Sequence, residues 1–348
     1  MPGIFDSGWA KRIIDFLRTK HEVLPTTYGT MGRTALFDSG LEREIQFVKG
    51  EPSEILTKIS KTVDAFVLPM YATSPLKSHA HCWHLLKSSG ITKPLVEIEA
   101  KSRCVIPWNK EARELSSWIA SGLRLELKEA PAFGETFWVS GGKKYRRILG
   151  VEVGDYVMVN RVVIGRANSE NVILVEENGV LTEFVGVDLK LGGLRKLQKL
   201  EKIDLKKIRV ETTSSLRFTT KKPRMIEIPK RSGVVFIDHA GYDVYDLAWG
   251  VEGVVVVGDD TSSIVGDILF RLQVPILGIV DGDEDKLLKG SQLSEGSVIL
   301  TVENDDSVGE EVFRKVFKRK ARLGRKFSEV KREIIFLLRD KIKRILEV

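Results

Sequence analysis

Sulfur and long apolar runs are the first things missing from this chain. It has two cysteines, Cys82 and Cys104, in 348 residues, too few for a disulfide framework, which points to a reducing compartment. No stretch approaches the roughly 20 uninterrupted apolar residues of a membrane span, and the N-terminus lacks the basic and apolar regions of a secretion signal. The expectation is a cytoplasmic protein that does not use a membrane. Glutamine and asparagine are scarce, four and six residues, while 30% of the chain is charged, a balance that leans toward a thermophilic source. Four motifs are absent as well: G-x-S-x-G, H-E-x-x-H, C-x-x-C and G-x-G-x-x-G. A nucleophile elbow, a zincin helix, a thiol redox pair and a dinucleotide fingerprint are therefore not legible.

What is present is charge, and it is segregated. The net charge is +7, yet Lys190–Arg231 holds fourteen Lys/Arg against four Asp/Glu and Arg314–Arg344 fourteen against three. The rest of the chain is acidic. Two solvated lysine-rich faces are the first reading of these stretches. A nucleic-acid footprint is the second.

Residues 1–128 alternate helical and strand-like patterns. Ser7–Lys20 reads as a helix capped by Ser7. Asp64–Tyr71 and Pro94–Ala100 read as strands, each after a helical stretch, Pro52–Thr62 and His81–Ser89. That alternation predicts a Rossmann-like parallel sheet. Residues 129–190 change grammar to short β runs split by turn signals. Glu177-Asn178-Gly179 between "VILVE" and "VLTEFVG" predicts a hairpin, and the whole segment a small antiparallel β module. Residues 191–231 read as a basic linker with one short helix or strand. Residues 232–312 return to strands: "GVVFID", "GVVVVGD", "PILGIVD" and "SVILTVEN" are apolar throughout, as strands buried on both faces are. Residues 313–348 read as a basic amphipathic helical tail, with Phe327, Val330, Ile334, Leu338, Ile342 and Ile345 forming a stripe suited to packing on the protein. The expected fold class is thus α/β: two Rossmann-like parallel-sheet units separated by a small antiparallel β module, with a C-terminal helical tail.

The chemistry concentrates after the four apolar strands. Each ends in a polar loop: Asp238-His239, Asp259-Asp260-Thr261, Asp281-Gly282-Asp283-Glu284-Asp285 and Asn304-Asp305-Asp306. In a parallel sheet these loops share one edge, where ligands of open α/β sheets bind. Carboxylates gathered there repel one another, and Mg2+, which prefers oxygen ligands and bridges to substrate phosphates, would relieve that repulsion. Asp259, Asp260, Asp281 and Asp283 are the expected metal ligands. Thr261 and Ser263, opening a helix, would touch phosphate. His239, Asp281 and Asp283 are the expected catalytic groups, with His239 as a general base. Asp, Ser and Thr are also the preferred helix N-caps, so plain capping is a rival reading of "GDDTSS". It is a poorer one for "DGDED", which no strong helix follows.

Two further stretches stand out. "YGTMGRT" places Gly29, Thr30, Gly32 and Arg33 where an anion could be cradled, or where a mere turn lies. Its expected place is the edge of the N-terminal sheet, beside Asp6-Ser7-Gly8. "SHAHCWH" gathers His79, His81 and His84 around Cys82, atoms that Zn2+ favours. With no second ligand pair at a familiar spacing, surface or interface histidines are the preferred reading.

Several stretches resemble the archaeal family catalogued as domain of unknown function 2117: "DSGWAKRII", "YGTMGRTALFDSGLE", "YRRILGVEVGDYVMVN", "VVFIDHAGYDVYDLA" and "VVVGDDTSSIVGDILFRLQVPILGIVDGD". The resemblance runs to Asp285 and implies an archaeal cytoplasmic protein with no activity to carry over. At its start the chain departs from the family, whose members open on a strand ending in a glycine-rich turn.

Two functions follow as expectations. The first is a protein binding a phosphorylated small molecule or nucleotide with Mg2+ at the C-terminal sheet edge, with phosphoryl or pyrophosphoryl transfer driven by positioning and charge neutralisation. The alternative is an RNA-binding protein using the β module and the basic segments 190–231 and 314–344.

Overall fold

The computed structural model describes residues 2–160, 162–190, 193–194, 197, 202–213, 222–228, 232–238, 244–282 and 292–348. The chain divides into two compact units. One comprises Met1–Tyr28 with Glu44–Thr220, the other Gly29–Arg43 with Lys221–Val348. The architecture is mixed α/β, with several parallel and antiparallel sheets and a C-terminal helix.

In the first unit the opening helix is broken: Gly3–Asp6 is followed by Trp9–Leu17, and the second helix begins behind Gly8, not Ser7. Its apolar face buries Ile13, Ile14 and Leu17. The α/β sheet has the order Phe66–Met70, Leu95–Glu99, Cys104–Pro107, Glu126–Leu127. It is mixed, where a parallel sheet was expected. Phe66–Met70 runs parallel to Leu95–Glu99, but Cys104–Pro107 returns antiparallel. The four residues between those two strands are too few for a crossover, which takes a dozen or more.

The β module is two four-stranded antiparallel sheets. One has the order Val187–Leu189, Val162–Ala167, Tyr156–Val159, Val210–Thr213; the other Val180–Val185, Val172–Glu177, Lys143–Ile148, Phe137–Ser140. The predicted hairpin forms at Asn178-Gly179, both at positive φ (54° and 85°), as a tight primed turn requires. The two sheets close over a core that includes Val157, Val159, Ile164, Val172 and Leu174. The stretch read as a linker gives Val210–Thr213 to this module and buries Ile203 and Leu205 in its core.

The second unit is built on one six-stranded sheet in the order Arg322–Leu323, Val234–Asp238, Gly253–Val257, Ile276–Val280, Val298–Thr301, Arg344–Glu347. The four central strands are parallel and in sequence order. Both faces are covered, which explains their unbroken apolar character. Val255, Val257, Leu277 and Leu300 pack with Val312 of helix Asp305–Lys315 and Val330 and Ile334 of helix Phe327–Leu338. On the opposite face Val254, Val256 and Ile276 pack with Val265, Ile268 and Leu269 of helix Asp259–Phe270.

The tail differs from the expected continuous helix. Phe327, Val330, Ile334 and Leu338 are buried on a helix as the stripe predicts. The chain then turns, and Arg344–Glu347 pairs antiparallel with Val298–Thr301. Earlier in the same segment Arg322–Leu323 pairs antiparallel with Val234–Val235. Ile345 therefore belongs to a strand, where side chains alternate, and it is exposed. These two short strands flank the parallel sheet at both edges, where unpaired backbone groups would otherwise invite association.

Gly29–Arg43 is held in the second unit by a buried ion triad. Asp38 on helix Thr30–Ser39 accepts from Arg271 at 2.8 and 2.6 Å, and Arg271 also bonds Asp267 at 3.1 Å. The Arg224 side chain adds bonds to the Phe37 carbonyl and Glu42. Thr34 shares a hydrogen bond with Tyr245 at 2.9 Å, whose hydroxyl burial pushes up to about 12. The expected place for "YGTMGRT" beside Asp6-Ser7-Gly8 is thus corrected: from Gly29 on, the stretch belongs with the C-terminal sheet.

Candidate functional site

The parallel order of the central strands has a direct consequence at their C-terminal ends. Gly258 follows Val257 at φ 102°, a conformation that L side chains rarely adopt,. That turn lets the helix begin at once, so Asp259 and Asp260 lie in its first turn instead of in a loop. Asp281 follows strand Ile276–Val280 directly, and Asp305 opens the helix after strand Val298–Thr301.

These three elements bring Asp259, Asp281 and Asp305 together. One carboxylate oxygen from each lies within 4.8 Å of the other two. Asp259 and Asp281 are half-buried and Asp305 is buried. Burial pushes the Asp259 carboxyl up to about 7, helped by its hydrogen bond to Asp281, the charge of Asp281 and then that of Asp305. This is how like charges behave when they share a site from which water is partly excluded. Near neutral pH the Asp259 carboxyl is therefore partly protonated.

The capping reading accounts for one of these loops. Asn304 caps its helix, accepting from the Ser307 amide at 2.8 Å. The helix after "GD" has Gly258 at its N-cap and no side-chain cap bond. Asp259 and Asp260 therefore do not sit there as caps. Negative charge in a first turn is favoured by the helix dipole, but that does not require three carboxylates from three strands to face one another.

The oxygen set fits a hard divalent cation. Mg2+ holds its ligands at about 2.0–2.1 Å in an octahedron, so oxygens on opposite sides of one ion are about 4 Å apart and neighbouring ones about 3 Å apart. The oxygens here, within 4.8 Å of one another, would draw in by up to about 2 Å to share one ion.

The other expected site residues fall as follows. His239 and Asp283 lie outside the described residues. Asp260 is half-buried beside Asp259 but outside the triad of converging oxygens. Thr261 and Ser263 are buried in the helix. Gly29 is the N-cap of helix Thr30–Ser39, and Thr30 and Gly32 lie in its first turn. The Arg33 guanidinium lies over Phe37, Tyr245 and Trp249 and bonds Asp246 at 3.2 Å, so it is held by the protein's own groups.

Asp305 is the residue the sequence reading left out. Asn304-Asp305-Asp306 stands among the four polar strand ends, but the expected ligands are drawn only from the loops after Val257 and Val280. The signal was there in the rule already used: every parallel strand end reaches the same rim.

His79, His81 and His84 are half-buried, and the first two have partners within the protein. His79 Nδ1 lies 2.8 Å from Glu97 and His81 Nε2 lies 3.0 Å from the Tyr28 hydroxyl. Burial drives His81 down to about 4, which leaves it neutral. Among the described residues the only three-carboxylate, histidine or cysteine grouping with metal spacing is the Asp259–Asp281–Asp305 triad.

Much of the basic stretch 190–231 lies outside the described residues. Within it, Arg209 pairs with Glu51 and Glu211. In the tail Lys315 and Lys341 both bond Glu311, at 2.7 and 2.5 Å, and Arg325 bonds Glu333 at 2.6 Å. No helix among the described residues is long and apolar enough to cross a membrane.

Comparison with known proteins agrees over nearly the whole chain. The family model described as an uncharacterized protein conserved in archaea, DUF2117, matches residues 1–320. An uncharacterized protein of Methanocaldococcus jannaschii is 35% identical over 320 residues, which cover 88% of this chain and 87% of the relative. No solved structure matches.

Proposed function

This chain belongs to DUF2117, the uncharacterized family conserved in archaea, and we propose that its C-terminal unit binds Mg2+ together with a phosphorylated small molecule or nucleotide. The observation that carries the proposal is the mutual approach, within 4.8 Å, of Asp259, Asp281 and Asp305. Its support is that a Rossmann-like reading of the four parallel strands predicts a ligand at this rim. The carboxylates would hold the ion, and the ion would present its remaining positions to phosphate oxygens and neutralise their charge. The first turns of helices Asp259–Phe270 and Asp305–Lys315 aim backbone N–H groups at the same rim,. The reaction class this suits is phosphoryl or pyrophosphoryl transfer, in which positioning and charge neutralisation do most of the catalysis. A cytoplasmic setting, with Mg2+ and nucleotides abundant, fits the same reading.

Thermal unfolding tests it. Mg2+ should raise Tm, with about 2.7 kcal/mol of stabilisation at a hundredfold excess over Kd. A nucleoside triphosphate or pyrophosphate should add to the shift only when Mg2+ is present. Asp259→Asn with Asp281→Asn should abolish both effects and leave a folded protein. An unshifted Tm in Mg2+, Mn2+ and Ca2+ alike would remove the proposal.

A further inference from the structure

The strand Lys143–Ile148 carries the sequence "KKYRRI" and lies in the sheet of the β module between Val172–Glu177 and Phe137–Ser140. Its alternation divides four cations between two faces. Lys144 and Arg146 point toward the core side: Lys144 bonds the buried Glu176 at 2.8 Å, and Arg146 donates to the carbonyls of Leu205 and Ile208 at 3.0 and 2.5 Å. Lys143, Tyr145 and Arg147 therefore share the outer face.

The neighbouring strands complete that face. Trp138 lies opposite Tyr145, and their rings stack with centroids 5.3 Å apart and planes 3° from parallel. Arg147 lies over the other side of this ladder, its guanidinium carbon 5.7 Å from the Trp138 centroid. On the next strand Val175, buried, and Ile173, half-buried, stand opposite Tyr145 and Arg147. Lys143 closes one end through Glu183 at 2.6 Å. Among the described residues no carboxylate pairs with Arg147, which is exposed. The two strands Phe137–Ser140 and Lys143–Ile148 together hold four cations and no carboxylate.

We propose that this sheet face, Trp138, Tyr145, Arg147 and Lys143, binds single-stranded RNA. An antiparallel sheet with paired rings at its surface offers bases a stacking platform, and the exposed Arg147 beside the rings meets a backbone phosphate. On this face Glu183 offsets Lys143, so the charge left over is that of Arg147 and it favours an anion, while the parallel rings with an arginine over them favour planar bases over a peptide. A duplex, with its bases already stacked inside, has nothing to offer the rings. This inference is independent of the metal site, since it uses none of its residues.

The test is fluorescence anisotropy of the full chain with labelled single-stranded RNA of roughly 12 nucleotides, within the usual site size of such platforms. Binding should weaken as salt rises. Trp138→Ala and Tyr145→Ala should each weaken it about tenfold, the effect of losing one stacked base. Tyr145→Phe, which keeps the ring, should bind like the wild type. Arg147→Ala should lower affinity and reduce the salt slope by about one. Asp259→Asn with Asp281→Asn should bind RNA unchanged, which separates failure of this inference from failure of the metal site. Unfolding curves of the variants keep loss of fold apart from loss of contact, and Arg147→Ala, at an exposed position, reports even if Tyr145→Ala unfolds. The proposal is overturned by wild-type protein that does not bind, by duplex RNA binding equally well, or by Tyr145→Phe losing as much as Tyr145→Ala.

Discussion

Each unit carries buried or half-buried carboxylates near the C-terminal ends of its parallel strands, and the two sets face different things. In the N-terminal unit Glu97 and Glu99, fully buried on strand Leu95–Glu99, look at donors. Glu97 takes the His79 ring nitrogen at 2.8 Å and the Trp108 indole N–H at 2.9 Å. Glu99 takes the amides of Ser102 and Ala72 at 2.6 and 3.3 Å and the hydroxyls of Ser102 and Ser78. In the C-terminal unit Asp259, Asp281 and Asp305 each bring one oxygen within 4.8 Å of the others. Burial alone therefore does not mark a site. Glu97 and Glu99 each sit among several donors as scaffold groups do, whereas the converging aspartates have the arrangement on which the proposed Mg2+ site rests.

The comparison breaks hardest where a scaffold carboxylate loses its partner. Arg271 is fully buried between Asp38 and Asp267. Arg271→Met removes the guanidinium that lies between the two buried carboxylates, and the expected cost is about 3–5 kcal/mol, read from chemical unfolding. A loss below roughly 1 kcal/mol would mean that satisfied burial is not what keeps these charges in place. Glu99→Ala comes next. It orphans two backbone amides and two hydroxyls, with an expected loss of about 2–3 kcal/mol. Mg2+ should not stabilise or rescue either variant, because neither position belongs to the carboxylate triad.

Much of this contrast was legible in the sequence, for stated reasons. The apolar runs "GVVVV" and "PILGIV" could only be strands buried on both faces, so their parallel register and shared rim followed. The hairpin at Asn178-Gly179 followed from the two positive φ angles its turn demands. Other elements were hidden because tertiary partners decide them. Ile342 and Ile345 continue a helical spacing, yet the Val298–Thr301 edge recruits Arg344–Glu347 as a strand. Cys104–Pro107 reads like any other strand, and only the length of the turn before it betrays its direction. "YGTMGRT" looks like an anion cradle until Asp38, four residues past Thr34, meets Arg271, 233 positions away in the sequence. Asp305 lies at the same rim as Asp259 and Asp281, but nothing in its own loop sets it apart from Asp306 as the residue that reaches them.

The smallest expected effect sharpens the comparison most, because its sign is opposite to the others. With Asp259 at about 7 in the folded chain and near the ordinary 3.8 when unfolded, the folded state holds a proton that the unfolded state has released between about pH 4 and pH 7. Its contribution to stability is fully present below that window and is lost as pH rises through it. His81, driven down to about 4 by burial, acts the other way, adding stability as pH rises from about 4 to 6.5. The difference between the wild type and Asp259→Asn isolates the aspartate. Asp281→Asn removes the hydrogen-bonding and charged neighbour that most disfavours ionised Asp259, so without metal and above pH 7 it should raise stability by about 1 kcal/mol, the scale of a partly screened charge pair. Mg2+ should reverse the order, stabilising the wild type and leaving Asp281→Asn behind. If Asp281→Asn instead destabilises the metal-free protein as Glu99→Ala does, the two sets of carboxylates are alike and the C-terminal rim is scaffold too.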